Sequence, residues 1–193
     1  MLEAVNGLPG WLVWPVRGVM VFGTTGGALA VVALVGMGTL WRARDGTGWV
    51  AHRRPGWTPT IVSLLTAVVG ARVAFEVLKR IVDRKRPSGF LTELPHLHVR
   101  DHAAGLGYPS GHATMSMAVA LTLSACWPRA RWPVVALAVA VSLGRLYVGV
   151  HLPLDVAGGM ALGVLVSAVA AAVGRRLTAG ASQAETAAHD VPH

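Results

Sequence analysis

Cysteine occurs once, at Cys126, so the chain cannot form an internal disulfide, and one thiol offers no metal-ligand spacing. Charge is almost as scarce. Asp, Glu, Lys and Arg make up 13% of the 193 residues, and only nine residues are acidic. An ordinary soluble domain carries roughly 25% charged residues, so a fold wetted on all sides is excluded. What fills the space is apolar: 53% of the chain is hydrophobic, which reads as one integral membrane domain. The net charge of +8 is spread in short clusters between apolar runs rather than in one block. That pattern argues against nucleic acid as a partner. Met1–Gly10 holds no basic n-region, so no cleavable signal peptide is expected. There is no internal repeat.

A membrane-spanning helix needs about 20 mostly apolar residues. Five segments fit: 23–41, 57–78, 108–127, 132–150 and 156–174. Arg72 and Glu76, four residues apart inside the second, are expected to pair and face other helices. Leu8–Phe22, with Trp11, Trp14 and Arg17, reads as an interfacial helix because tryptophan favours the headgroup boundary. A sixth, short span there is the alternative. The expected fold is therefore an all-α polytopic bundle, with one membrane-embedded domain over residues 1–176. Residues 177–193 are small and polar and read as a disordered cytoplasmic tail.

Arg42, Arg44, Arg53 and Arg54 lie between the first two spans, Arg129 and Arg131 between the third and fourth, and Arg175 and Arg176 after the fifth. Five spans put these clusters on one side, which the positive-inside rule makes cytoplasmic. The other side is basic too, through Lys79, Arg80, Arg84, Lys85 and Arg86. That outer side receives three short motifs, which share a face whichever side it is.

Histidine serves as a nucleophile toward phosphorus when it is neutral and held in one tautomer. His151 precedes Asp155 by four residues, so one helical turn brings the carboxylate toward the ring, as in the histidine–aspartate part of a serine-protease triad. Helix capping by Asp155 and an interfacial His151 is the plainer alternative. His112 follows Pro109-Ser110-Gly111 at the start of an apolar segment and suits proton delivery to a leaving oxygen. Ser110 can donate to a phosphate oxygen, and the amides of Gly111 and His112 fall in a first helical turn, where anions bind. The alternative for Ser110 is a simple N-cap. Lys79, Arg86 and Arg145 form the expected phosphate clamp, with arginine binding two oxygens at once. Arg80, Arg84 and Lys85 are read as interfacial charge or headgroup contacts. The loop 88–107 gathers Glu93, His96, His98, Asp101 and His102 in no recognised metal spacing, so solvated loop is the reading there and neither metal nor other cofactor is expected.

These motifs resemble the type 2 phosphatidic acid phosphatase family, which includes bacterial undecaprenyl-diphosphate phosphatases. Its pattern is lysine, six residues, Arg-Pro; then Pro-Ser-Gly-His; then Ser-Arg, five residues, His, three residues, Asp. Lys79–Pro87 and Pro109–His112 match fully, and Arg145, His151 and Asp155 match with Gly144 in place of the serine. The likeness runs from Lys79 to Asp155. It implies a metal-independent phosphatase working through a phosphohistidine, with His151, His112 and Asp155 catalytic and Lys79, Arg86, Ser110, Gly111 and Arg145 binding phosphate. It also implies a polyprenyl (undecaprenyl) diphosphate or phospholipid substrate, and a plasma-membrane enzyme with its site outside the cytoplasm. Phosphatidate, phosphatidylglycerophosphate and phosphotransfer are the competing chemistries. Gly144 removes one hydroxyl donor. Family members often have six core spans.

Overall fold

A computed structural model describes residues 2–44, 57–86, 99–100 and 105–189. The described residues form seven α-helices: α1 (Leu2–Asn6), α2 (Val13–Met20), α3 (Thr25–Arg44), α4 (Trp57–Val82), α5 (Gly111–Cys126), α6 (Arg131–Tyr147) and α7 (Pro153–His189). Short 3-10 turns at Gly10–Leu12, Val21–Gly23 and Pro128–Ala130 join some of them. The last five helices occupy the five segments expected to span.

By length and composition, the Pro59–Val82 part of α4 and the Pro153–Gly180 part of α7 each suffice to cross a bilayer. The pair Gly10–Gly23 and Thr25–Trp41, bent by 65°, makes a third if it is one span. Helices α5 and α6 have 16 and 17 residues, a rise of roughly 25 Å against a hydrocarbon core of about 30 Å. The bend fits the interfacial reading of the N-terminal segment, where Trp11 and Trp14 are 70% and 73% exposed.

Helix α5 is the axis of the bundle and packs on α4, α6 and α7. Its core partners are Leu64, Ala67, Val68, Ala71 and Phe75 of α4 and Ala170 of α7, with Ala28 and Val32 of α3 closing the layer. Within a bilayer, helix association depends on close backbone approach, which small residues permit. A Cβ at Gly163 of α7 would lie 2.7 Å from the Thr114 carbonyl oxygen, and one at Gly159 would lie 2.6 Å from that of Ser110. Outward, α4 shows Leu65, Val69, Val73, Val77 and Ile81 as an exposed apolar stripe, suited to lipid.

Two expectations change. The tail is helical through His189, because Leu177–Ala188 is rich in alanine and poor in breakers, so helix propensity carries α7 onward. Arg72 and Glu76 do pair, at 2.7 Å, but their side chains are 54% and 37% exposed. They border the apolar stripe instead of facing neighbouring helices, because Ala67, Val68, Ala71 and Phe75 already fill the buried side of α4.

Replacing Gly163 by Ala forces α5 and α7 apart and should cost about 1–3 kcal/mol. A lowered midpoint of thermal unfolding in detergent is the expected readout. Gly38→Ala, where an added Cβ meets nothing within 4 Å, should leave the midpoint unchanged or raise it.

Candidate active site

The first motif leaves the end of α4. Lys79 stands in the last turn, its ammonium 5.0 Å from the centre of the Phe75 ring. Asp83 then stops the helix: its N–H donates to the Lys79 carbonyl at 2.9 Å, and its φ of 46° lies in the left-handed region that aspartate tolerates. The chain runs on extended. Lys85 bridges Leu106 in antiparallel fashion, and the Gly107 N–H donates to the Arg84 carbonyl at 2.6 Å. Alternate side chains of an extended segment share a side. Lys85 is accordingly exposed while Arg84 and Arg86 are partly buried.

The second motif opens α5. Ser110 occupies the N-cap position with extended backbone, yet its side chain makes no capping bond. It is fully buried, and its Oγ has no hydrogen-bond partner among the described residues. The plain N-cap reading therefore fails. The hydroxyl is held in the interior and left available, beside first-turn amides that lack intrahelical acceptors. A Cβ at Gly111 would sit 3.1 Å from the Phe75 ring, so Phe75 packs directly under this turn. His112 is covered by the Val21–Gly23 turn, where a Cβ at Gly23 would come within 3.0 Å of the His112 Cβ.

The third motif joins α6 to α7. Arg145 lies in the last turn of α6, 4% exposed, with a guanidinium nitrogen 3.7 Å from Met20 Sδ. Gly149, at φ 76°, makes the turn that leads to Val150 and His151. His151 is 2% exposed and Asp155 fully buried. One Asp155 oxygen, Oδ2, accepts the Leu152 N–H at 2.8 Å and lies 3.5 Å from His151 Nδ1. The other, Oδ1, pairs with the Arg84 guanidinium. The Asp155 backbone carbonyl accepts the Ser110 N–H at 2.9 Å. Asp155 does cap α7, and it also faces His151. At 3.5 Å the carboxylate is in place to accept from Nδ1–H once the ring settles, a tightening usual when substrate binds.

Lys79, Arg86, Arg145 and His112 all act electrostatically on His151, so the structure brings the three motifs to one place. Burial, and then Arg145, Arg86, His112 and Lys79, hold the His151 imidazole well below the ordinary histidine range. The ring is neutral near physiological pH, as a nucleophile must be. Among the described residues no group of three His, Cys, Asp or Glu side chains is placed to hold a metal. Glu93, His96, His98, Asp101 and His102 lie outside the described residues.

Sequence reasoning missed two features. Arg84, which the sequence alone suggests is interfacial charge, is the partner of Asp155 and also stacks 5.4 Å from the Tyr108 ring centre. The Arg84–Lys85–Arg86 alternation held that signal, because Arg84 must share the inward side of Arg86. The second is a clasp around Arg100. Its guanidinium donates to the carbonyls of Tyr147 (2.9 Å) and Leu8 (3.0 Å) and lies 4.4 Å from the Tyr147 ring centre. Arg17 donates to the Arg100 carbonyl at 2.8 Å, Asn6 to that of Tyr147 at 3.0 Å, and Tyr147 Oη to that of Pro9 at 2.6 Å. These bonds fasten the N-terminal helices to the end of α6. Their acceptors are backbone carbonyls, which leave no motif. Gly144 belongs here too: a Cβ there would meet Val16 at 3.0 Å and Met20 at 3.2 Å. The missing serine hydroxyl thus coincides with close packing of α2 on α6.

The PAP2 superfamily profile matches residues 60–179. An undecaprenyl-diphosphatase of Sulfolobus acidocaldarius is 37% identical over 107 residues, 55% of this chain and 51% of that protein. A decaprenylphosphoryl-5-phosphoribose phosphatase of Mycobacterium tuberculosis is 40% identical over 114 residues, 57% and 60% of the two chains. The chain thus spans about half to three-fifths of the length of these relatives. A PAP2-type phosphatidylglycerolphosphate phosphatase from Bacillus subtilis superposes with a TM-score of 0.67 at 23% identity, covering 91% of this chain and 83% of that one. That likeness is one of fold.

In a ¹⁵N NMR titration, the His151 ring should remain neutral as pH falls through 6.5, because its proton affinity is lowered; protonation at or above 6.5 would contradict the burial argument. Arg84→Gln leaves the buried Asp155 carboxylate short of a partner. It should lower thermal stability by about 3–5 kcal/mol, the cost of breaking a buried ion pair.

Proposed function

Because the chain belongs to the PAP2 superfamily, we propose that it is an integral-membrane lipid phosphatase that cleaves a polyprenyl diphosphate, such as undecaprenyl diphosphate, at the outer membrane face. The observation that carries this reading is a buried, neutral His151 next to Asp155 and within the field of Lys79, Arg86 and Arg145. A site that only binds anions needs the cations and has no use for the histidine–aspartate pair.

The reaction runs in two steps. His151 Nε2 attacks the terminal phosphorus, and the bond from phosphorus to the bridging oxygen breaks. His112, protonated once the bound anion offsets the charges of Lys79, Arg86 and Arg145, gives that proton to the oxygen, and lipid monophosphate leaves. Asp155 accepts from Nδ1–H and stabilises the charge that develops on the ring. Lys79, Arg86 and Arg145, the Ser110 hydroxyl and the first amides of α5 hold the equatorial oxygens, where charge builds in the transition state. Water then attacks the phospho-His151 phosphorus and His112 takes its proton. Inorganic phosphate leaves and His151 is restored. No step calls for a metal or another cofactor.

Three features support the polyprenyl substrate: the names of the two relatives, both of which act on polyprenyl lipids, the exposed apolar face of α4, and the outward orientation inferred from the arginine clusters. The partners are then the bilayer and its own lipid substrate, in the plasma membrane.

Purified protein in detergent with EDTA should release phosphate from undecaprenyl diphosphate faster than from phosphatidate or phosphatidylglycerophosphate. His151→Ala should reduce release by at least about 10³-fold, the scale for loss of a covalent nucleophile. Loss of activity in EDTA, restored by zinc or magnesium, would refute the mechanism. Preference for a glycerophospholipid would keep the mechanism and move the substrate.

A further inference from the structure

The Arg72–Glu76 pair has no part in the chemistry above and sits where charge is costly. It lies inside the Pro59–Val82 segment, with Val69, Val73 and Val77 exposed beside it at 60%, 56% and 51%. Ionisable groups at such depth are expensive and are retained for function. The pair is also not needed to fill the core, since its side chains are 54% and 37% exposed.

Its position is specific. Arg72 is seven residues before Lys79 and so stands two turns below it on the same face of α4. The two cations share one ring: the Arg72 guanidinium is 5.2 Å from the Phe75 ring centre and the Lys79 ammonium 5.0 Å. They are therefore no farther apart than the sum of those distances. Phe75 is 5% exposed and packs under Gly111 of the Ser110–His112 turn. Arg72 thus lies on the membrane side of Lys79, one member of the proposed phosphate clamp.

We propose that Arg72, neutralised at rest by Glu76, is a second anion subsite that receives the inner phosphate of a diphosphate substrate. The proposal rests on the diphosphatase reading. The lipid chain must run into the bilayer, so when the terminal phosphate occupies the Lys79–Arg86–Arg145 clamp, the inner phosphate lies on the membrane side, where Arg72 waits. The incoming phosphate displaces the Glu76 carboxylate. When the bond from terminal phosphorus to the bridging oxygen breaks, the electron pair stays with the inner phosphate, whose added charge Arg72 shares with the proton given by His112. A phosphate monoester such as phosphatidate puts no second phosphate there.

Equilibrium dialysis of the full chain in detergent against inorganic pyrophosphate and orthophosphate tests this without depending on turnover. A charge-assisted contact is worth roughly tenfold in affinity or more. Arg72→Gln should therefore raise the ratio of pyrophosphate Kd to orthophosphate Kd by about tenfold. Glu76→Gln, which frees Arg72, should lower the same ratio, and Arg72→Lys should restore part of what Arg72→Gln loses. An unchanged ratio, equal weakening of both anions, or a shift of both variants in one direction would overturn the subsite. So would a change in oligomeric mass accompanying equal weakening, which would make the pair a contact between copies. Parallel turnover separates the two readings. Wild-type protein that cleaves phosphatidate but not undecaprenyl diphosphate refutes the diphosphatase reading. Wild-type protein that cleaves the diphosphate, with the kcat/KM ratio of the two lipids unmoved by Arg72→Gln, refutes the subsite alone.

Discussion

A single buried carboxylate ties this site together. Asp155 is fully buried, and its polar groups reach three different segments. Oδ1 holds Arg84 from the end of α4, and Oδ2 faces His151 and accepts the Leu152 N–H. Its backbone carbonyl accepts the Ser110 N–H from the start of α5. A buried charge is tolerable only when paired and hydrogen-bonded, so the fold must bring Arg84 and the α5 turn to Asp155. The requirement that keeps Asp155 solvated by protein is the same one that assembles the three motifs.

The electrostatics then follow from crowding. Lys79, Arg86 and Arg145 converge on a histidine that burial already keeps neutral. Such a cluster has a strong preference for an anion and a poor tolerance for a protonated imidazole. Both effects suit a phosphate ester attacked by nitrogen. Ser110 belongs to the same logic, because a buried hydroxyl that declines its capping bond is held ready for an acceptor that none of the described residues supplies.

The N-terminal segment acts as a brace. Arg100, Arg17, Asn6 and Tyr147 fasten it to the end of α6, and Gly144 lets α2 pack close to Arg145. The turn that carries His151 is thereby fixed from outside as well as by Asp155. Where the family pattern has serine before the arginine, this chain has Gly144, and Val16 and Met20 of α2 pack against it.

Much of this was legible in the order of residues. Apolar runs of about 20 residues located α3 to α7, while their lengths, from 16 residues in α5 to 37 in α7, depend on the flanking sequence. Motif spacing singled out His151, Asp155, His112, Ser110, Gly111, Lys79, Arg86 and Arg145, since two of the three motifs are short enough to be local. Tertiary structure alone decided which charges meet. Arg84 and Asp155 are 71 positions apart, and only the packing of α4 on α7 brings them together. The Arg100 clasp ends on backbone carbonyls, which every residue has. The outward turn of Arg72 and Glu76 was settled by which face of α4 the core had already claimed. A sequence records which groups are present and how far apart they lie along the chain; pairing across the fold is set by packing over distances that no local spacing encodes.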